Sequence, residues 1–494
     1  MIPVSDAYKI AINADVRRIK PMVLVYFDGD GQSPVEFGED KIVDIHLLEE
    51  TQAESDNPLG LVSANEVTIS FDNSSRDFTP TNSASPYYGK LRPNVLVKPY
   101  LGLETSPEVF EYVPLGMFRT GDWSAPSESV ETTVAGYDKL YEIGNKDMPM
   151  LPVQTDTTVA KMFKLLFQAV GLAPDQYDID SNLNQIIQIG WLPKGKVRDA
   201  LQTLAIAGNC NISVNRYGII RVKNNFKSGN AVTILTDNDQ IIAAENLQKY
   251  LDTYNKVSIL YKSPYLKKTD SLLKIDSITI PNGGIVLEKT EFSYGPVALV
   301  EQVKLIGAKN SILSSIEFGA WEITVYIDNP GVAETVTLEV TGKVVDIISS
   351  SCTIQDNDLI NAWGSRELKI DNQLIQNKDV AKSYAESLLW LVKDPYVNFV
   401  LEVRGNPAIE VNDIIQIQDP IDKIGTVDIA PIRFSLDYDG GLSARMEARK
   451  PIVPFGWVFV SPGLYAYVPK DVSGGMIEKW VFVSPGLATL IRRA

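Results

Sequence analysis

The sequence predicts a mainly β protein with α+β insertions, and three observations carry this prediction. Short apolar runs, several of them alternating with period two, recur through most of the chain. Clusters rich in glycine, proline and aspartate separate these runs. Helical periodicity is confined to residues 155–207 and 377–392. So many short strands close most simply as a barrel or a sandwich.

The first predicted domain, residues 1–145, contains strands with no competing helical pattern. The runs that predict them are Met22–Phe27, Val67–Phe71, Asn94–Lys98, Val109–Pro114 and Val130–Val134. The turn Asp28–Gly31 has the acidic spacing of a calcium loop. Ser33 stands where that loop requires glycine, so we expect a plain hairpin tip.

The second predicted domain, residues 146–230, is a small α+β unit of two helices and a hairpin. The first helix is expected to begin at an N-cap on Thr155 or Asp156 and to run to Val170. The second covers Val197–Ala207, with Gly208 ending it. The hairpin follows, with strands at 212–214 and 219–222.

Two further β-rich parts come next. Residues 231–370 are predicted to hold short strands, and part of this region would complete the first barrel. Lys262, with Lys267 and Lys268, is expected in a solvated loop. Residues 371–450 are predicted to form a helix capped by Asn377 and ended by Pro395, followed by a second barrel region whose last hairpin turns at residues 439–441.

The last part, residues 451–494, contains an exact duplication. The octapeptide Trp-Val-Phe-Val-Ser-Pro-Gly-Leu occurs at 457–464 and again at 480–487. We expect two copies of one docking element or small β unit. Three readings are open: packing on the protein itself, docking of a fibre or spike, and contact with a host membrane. The candidate docking residues are Trp457, Phe459, Leu464, Trp480, Phe482 and Leu487.

Charge and residue counts exclude several classes of function. The net charge of −16 repels phosphate, so the chain is not expected to bind nucleic acid specifically. His46 is the one histidine, and the two cysteines cannot form a disulfide framework. Residues 190–197 have the spacing of a P-loop, but Val197 replaces the Mg²⁺-binding hydroxyl. No catalytic, metal or cofactor site is predicted, and we expect no enzyme activity.

Several segments together resemble the baseplate hub, or tail-associated (Tal-type) tail-tip protein, of tailed phages. The resemblance extends over residues 15–450 and rests on the order and spacing of its pieces. These include Leu59–Asn73, Ser85–Leu91, Tyr112–Phe118, Gly190–Pro193 with Val197–Ala205, Asn215–Gly218, Trp363–Ile370, Gly405–Pro407, Asn412–Ile417 and Gly440–Leu442.

The resemblance implies a homotrimer in which each chain contributes two tube-type β-barrel domains plus smaller α+β domains. The ring would join the hexameric tail tube to distal fibre or spike proteins and gate DNA passage. Implied partners are the distal tail protein, the tube proteins, the tape measure protein and a receptor-binding protein. The location would be the distal end of a virion tail assembled in the host cytoplasm. Alternatives are a host-surface-binding adhesin and the hub of a phage-derived tailocin.

Overall fold

The computed structural model describes most of the 494-residue chain. The described residues are 1–51, 60, 62–224, 231–236, 241–247, 253–393, 398–419 and 425–449, with strands at 456–461, 464–468, 478–484 and 487–492.

Helices and strands follow one another in a mainly β arrangement, as the sequence predicts. The helices are α1 Asp6–Ile12, α2 Lys139–Gly144, α3 Val159–Ala169, α4 Val197–Gly208, α5 Asn357–Trp363 and α6 Lys378–Val392. The first thirteen strands are β1 Ile19–Tyr26, β2 Val35–Phe37, β3 Ile42–Glu50, β4 Glu66–Asp72, β5 Leu96–Ser106, β6 Val109–Pro114, β7 Phe118–Ser124, β8 Glu131–Tyr137, β9 Gln154–Thr158, β10 Tyr177–Ile179, β11 Ile186–Gly190, β12 Cys210–Val214 and β13 Ile220–Asn224.

The remaining strands belong to the second half of the chain. They are β14 Thr233–Thr236, β15 Ile241–Leu247, β16 Lys256–Ile280, β17 Ile285–Glu291, β18 Val297–Ile306, β19 Ile312–Phe318, β20 Glu322–Asp328, β21 Glu334–Gln355, β22 Glu367–Asp371, β23 Asn398–Val403, β24 Ile415–Asp419, β25 Gly425–Tyr438, β26 Leu442–Arg449, β27 Gly456–Ser461, β28 Leu464–Val468, β29 Glu478–Ser484 and β30 Leu487–Arg492.

One sheet of fourteen strands contains strands from the first and from the last part of residues 1–449. Its order is β15-β23-β26-β25-β3-β4-β8-β7-β5-β1-β2, with β24 and then β14 added beside β25, and β6 beside β5. One apolar core lines it, and this core includes Ile69 from the first part of the chain and Leu401 from the last. The strands of 1–145 and those of 398–449 therefore fold as one layer.

The large sheet contains the same strand-pairing pattern twice. In the first set, β3 pairs with β4, β4 with β8, β8 with β7, β7 with β5, and β5 with β1. In the second set, β15 pairs with β23, β23 with β26, β26 with β25, β25 with β24, and β24 with β14. Of these matched pairings, the last alone differs in direction, since β14 runs parallel to β24.

The irregularities of the two sets also coincide. A register shift lies between Ile42 and Asp44 in β3, and the same shift lies between Ile241 and Ala243 in β15. β7 and β25 are both irregular against their hairpin partners, after Thr120 and after Pro431. Because a bulge changes strand direction and twist at a defined place, coincident bulges indicate that both six-strand sets are one structural unit used twice.

A single ladder joins the two sets. β25 pairs antiparallel with β3, from Arg433 opposite Glu50 to Tyr438 opposite Ile45. The guanidinium of Arg433 lies 3.0 Å from the Glu50 carboxylate. The last hairpin of the second set turns at residues 439–441 as predicted, and its strand β25 thus pairs with β3 of the first set.

The α+β unit confirms the two predicted helices and the hairpin, with one correction. Val159, Phe163 and Leu166 of α3 are buried against α4, as their spacing predicts. The helix begins later than expected, because residues 154–158 form β9 and pair with β11. Thr158, rather than Thr155 or Asp156, caps α3 by accepting a hydrogen bond from the amide of Lys161.

The middle region also departs from prediction, because its strands are long. β16 and β21 pair along nearly their whole lengths, 25 and 22 residues, with local register shifts. The expected solvated loop at Lys262 is wrong: this residue lies in β16, is buried, and its Nζ is 2.6 Å from Asp371. Individual apolar runs had suggested separate short strands, whereas bulges let the ladder continue between them.

The helix after residue 377 is confirmed with its cap. The Asn377 side chain accepts hydrogen bonds from the amides of Asp379 and Val380. Its buried face, including Ala381, Ala385 and Leu388, packs on β16 and β21. Pro395, expected to end this helix, lies outside the described residues.

Candidate functional site

The predicted docking residues lie in a four-stranded antiparallel sheet made of two hairpins, β27–β28 and β29–β30. Both copies of the octapeptide occupy the same place, running through the first strand to the first residue of the second. The register also matches, since Trp457 is opposite Tyr467 and Trp480 is opposite Leu490. The duplicated sequence is therefore a duplicated hairpin.

One face of this C-terminal sheet collects the aromatic positions. Alternate residues of a strand share a face, and residues directly opposite on neighbouring strands share it too. The two hairpins meet at Ala466 opposite Val481, which fixes their relative faces. The positions on the common face are Trp457, Phe459, Tyr465, Tyr467, Trp480 and Phe482. Leu464, beside Tyr465 in β28, falls on the opposite face, and so does its counterpart Leu487.

The P-loop-like segment is a strand-to-helix connection that contacts the middle region. β11 ends at Gly190, and α4 begins at Val197. In between, the Lys194 Nζ lies 2.9 Å from Glu291 and 5.6 Å from the ring centre of Trp321. A cavity of about 130 Å³ lies here, and the Trp321 indole above it donates to the Leu192 carbonyl. Lys194 therefore binds the strand-to-helix connection to the middle region of the chain.

The histidine and cysteine residues have structural settings. His46 in β3 is directly opposite Asp437 in β25, and its Nδ1 contacts that carboxylate at the surface of the joining ladder. Cys210 is buried, and burial raises the pKa of its thiol far above the ordinary value. A high pKa leaves little thiolate, so Cys210 is a poor nucleophile.

Among the described residues, no group of three or more histidine, cysteine or acidic side chains could hold a metal ion. The predicted hairpin tip at Asp28–Gly31 is confirmed between β1 and β2. There Asp30 pairs with Arg119, and Asp28 lies 3.0 Å from the Nζ of Lys90. Within the same described part of the chain, no helix is long and apolar enough to cross a membrane.

A buried arginine couples three parts of the chain, and sequence reasoning missed it. Arg216 sits at the turn between β12 and β13 with a side chain 1% exposed. Its Nε donates to Glu49 at 2.8 Å and its Nη2 donates to the same carboxylate at 3.1 Å. The guanidinium also donates to the carbonyls of Pro407 and Ile409. The α+β unit, β3 and the 406–410 loop are therefore tied by one side chain.

Burial acts on both members of this pair. It raises the pKa of the Glu49 carboxyl, although the neighbouring Arg216 opposes that shift. Burial lowers the pKa of Arg216, but Glu49, Glu410 and Asp413 together outweigh burial and raise that pKa. A paired, hydrogen-bonded charge is the form in which ions are tolerated inside a protein. The clue in the sequence was a charged residue in the tight turn 215–218, between two apolar strands.

A second buried acid lies at the same junction. Asp138 caps α2 and accepts hydrogen bonds from the amides of Asn65, Leu140 and Tyr141. Burial raises its pKa to about 7, although those hydrogen bonds oppose the rise. The Asn65 side chain donates in turn to the Val214 carbonyl at 3.0 Å. Asn65 therefore links the Asp138 cap to the α+β unit by hydrogen bonds.

Comparison with known proteins gives the fold an identity. No family model matches the chain, and no curated protein matches it. Among solved structures, the 43 kDa tail protein of prophage MuSo2 from Shewanella oneidensis superposes with a TM-score of 0.50 at 11% identity, covering 87% of this chain and 98% of that one. A tail protein from Neisseria meningitidis MC58 gives 0.51 at 9% identity, covering 88% and 98%.

Both matches are to tail proteins, one of them from a prophage, and each extends over nearly the full length of the matched protein. The chain therefore has the fold of prophage tail proteins, which confirms at the level of fold the resemblance drawn from the sequence.

Proposed function

We propose that a protein with this tail-protein fold serves as a structural hub at the distal end of a phage tail. In this role three copies form a ring that continues the hexameric tail tube, connects it to distal fibre or spike proteins, and gates the passage of DNA. The observation that carries the proposal is the six-strand unit used twice in one sheet. Three copies then supply six such units, the number a hexameric tube presents.

The proposed domains follow from this role. One tube-type barrel uses residues 1–145, and the other uses 371–450. The sequence assigned part of 231–370 to the first barrel, but β14 and β15 from this region pair with β24 and β23, so we assign them to the second. The α+β unit, 146–230, is connected to the large sheet through Arg216, which donates to Glu49, and through Val214, which accepts a hydrogen bond from Asn65. The extension 451–494 carries the duplicated hairpins. Ring partners are the distal tail, tube and tape measure proteins, at the distal end of a virion assembled in the host cytoplasm.

The charge of the chain suits a channel. A net charge of −16 would repel the phosphates of DNA moving through the lumen. The hub would therefore let DNA slide without holding it. A structure of the isolated ring with a positive electrostatic potential along its lumen would contradict this role of the charge.

The first experiment is a native mass by light scattering after size exclusion. A ring of three copies has a mass of about 164 kDa, three times the 54.6 kDa of one chain. Negative-stain images of that species should show a ring with a lumen. A stable dimer would contradict the hub, because two copies cannot supply a threefold ring. We expect no clearing of peptidoglycan in a zymogram, since the proposed role is structural.

A host-surface adhesin is the second candidate, and the aromatic face of the C-terminal sheet favours it. Aromatic residues supply much of the energy at recognition surfaces, and two copies add avidity. The same face would serve for docking a central fibre or spike. Binding of the purified chain to host cell walls, lost in the Trp457→Ala, Trp480→Ala double variant, would support the adhesin. Retained ring assembly with loss of the fibre would support docking.

A further inference from the structure

Two strands of the large sheet each lack a neighbour that their counterparts have. β25 pairs with β26 on one side and with β3 on the other. Its counterpart β7 pairs with β8, and its other edge contacts the 94–97 segment only as far as Thr120. β15, the counterpart of β3, pairs with β23 alone in the described part of the chain. Among the residues that the structure describes, one edge of each set thus has no ladder partner where the other set is joined.

The ladder registers fix which residues correspond. Phe434 is opposite Met446 in the second set, and Trp123 is opposite Val134 at the equivalent place in the first set. Phe434 therefore corresponds to Trp123, and the next residues along the two strands, Ser435 and Ser124, correspond as well. In the same way Leu48 is opposite Glu66, and Leu247 is opposite Asn398. Glu66 begins β4 and Asn398 begins β23, so these two residues hold equivalent positions. Their partners, Leu48 and Leu247, are therefore counterparts. The joining ladder places Ser435 opposite Leu48.

The open edges have the character of pairing surfaces. Asp122 and Ser124 at the end of β7 are exposed. Ile242, the bulged residue of β15, is 64% exposed. An edge strand with unpaired backbone groups and exposed apolar residues is a template for another strand. The edge of β15 therefore offers an exposed apolar residue beside unpaired backbone groups, whereas the exposed residues at the end of β7 are polar.

We infer that β7 of one copy pairs antiparallel with β15 of the next copy, with Ser124 opposite Leu247, repeating between chains the junction that β25 and β3 make within the chain. The inference rests on the proposed ring and names its interface. Such a contact joins two different surfaces and so propagates from copy to copy until the ring closes. The second copy is chosen as occupant because the chain already contains the complementary pair of edges.

The new ladder would be shorter than the one inside the chain. β25 continues to Tyr438, whereas β7 ends at Ser124 with Pro126 close behind. Proline lacks the amide needed to extend a ladder. The contact between copies would therefore set the register of the ring while other surfaces add area.

Cysteine cross-linking tests the register directly. Ser124→Cys and Leu247→Cys are introduced together, with Cys352→Ala to remove the less buried native thiol. Directly opposite residues have Cα atoms close enough for a disulfide, which forms below about 7 Å. Mild oxidation should convert most of the chain to covalent multimers on a non-reducing gel. Mixing the two single variants should give covalent dimers, which proves that the bond joins different chains.

The matched control moves one cysteine along the same strand. Ser124→Cys with Ile242→Cys places the second thiol about 15 Å from the predicted partner, and we expect at least about tenfold less cross-linking, because disulfide geometry is that restrictive. Equal cross-linking of both pairs would overturn the inference. Light scattering separates the two levels of failure: a trimer without the 124–247 bond refutes this interface alone, whereas a chain that stays monomeric refutes the ring and the interface together.

Discussion

Replacing Arg216 by methionine should destabilise the protein severely, because the substitution leaves the Glu49 carboxylate buried without its partner. Arg216 donates two hydrogen bonds to Glu49 and further bonds to the carbonyls of Pro407 and Ile409. Removing one member of a buried ion pair costs about 3–5 kcal/mol. Each carbonyl left without a donor adds about 1 kcal/mol or more. We therefore expect the free energy of unfolding to fall by about 4 kcal/mol or more.

Urea unfolding at equilibrium, followed by tryptophan fluorescence, measures this loss. The double variant Arg216→Met, Glu49→Leu removes both charges, and we expect it to recover at least about 2 kcal/mol of the loss. Arg445→Met is the matched control, because Arg445 and Glu402 lie 3.2 Å apart with half-exposed side chains. That substitution should cost less than about 1 kcal/mol.

Two outcomes would refute the reasoning. A loss below about 1 kcal/mol for Arg216→Met would mean that water reaches the carboxylate and that the pair is not buried in solution. A double variant no more stable than the single variant would mean that the unpaired charge is not the source of the cost. In either case the coupling of the α+β unit to the large sheet would need another explanation.

Three further outcomes are expected. Burial raises the pKa of Asp138 to about 7, so between about pH 4 and pH 7 the native state holds a proton that the unfolded state has released. The free energy of unfolding should therefore fall by roughly 1.4 kcal/mol for each unit that the pH rises in this range. Urea midpoints of Asp138→Asn should lack this pH dependence, and parallel pH profiles of the two proteins would contradict the prediction. Asn377→Ala removes the two cap hydrogen bonds of α6 and should cost about 1 kcal/mol, whereas Asn377→Asp should cost much less; equal losses in thermal melts would argue against capping. A disulfide-exchange reagent should leave Cys210 unmodified in the folded chain and react with it in urea, because the thiol is buried with a raised pKa; rapid labelling of native Cys210, mapped by mass spectrometry, would show that the site opens.

The local elements could be predicted because their signals are local. The stripe of α4 and the asparagine cap of α6 are complete within a dozen residues, and both helices form where expected. The strand at Val109–Pro114 has its predicted bounds. The start of α3 was misplaced because Thr155, Asp156 and Thr158 are all acceptable caps. The pairing of β9 with β11 decided among them.

Some features of the candidate site could likewise be predicted from the sequence, and others could not. The duplicated octapeptide could be found by reading letters, and its two hairpins follow from it. The common face of Trp457 and Trp480 could not, since it depends on the single pairing of Ala466 with Val481. Arg216 was missed because a charged residue in a turn ordinarily faces water. Only the packing of β3 and the 406–410 loop around that turn makes it a buried partner of Glu49.

The β-rich class, the helices with their caps, the acidic charge and the C-terminal duplication could all be read from the sequence, because each is encoded in composition or in neighbouring residues. The tertiary structure decided which strands are neighbours. Alternation assigns a residue to a face but leaves the adjoining strand open, so the pairing of Ile45 with Tyr438, far away in the chain, left no local trace. The six-strand unit used twice was hidden for the same reason: Ile69 and Leu401 hold equivalent positions in the core, yet the shared feature is a pattern of backbone pairing that different side chains satisfy.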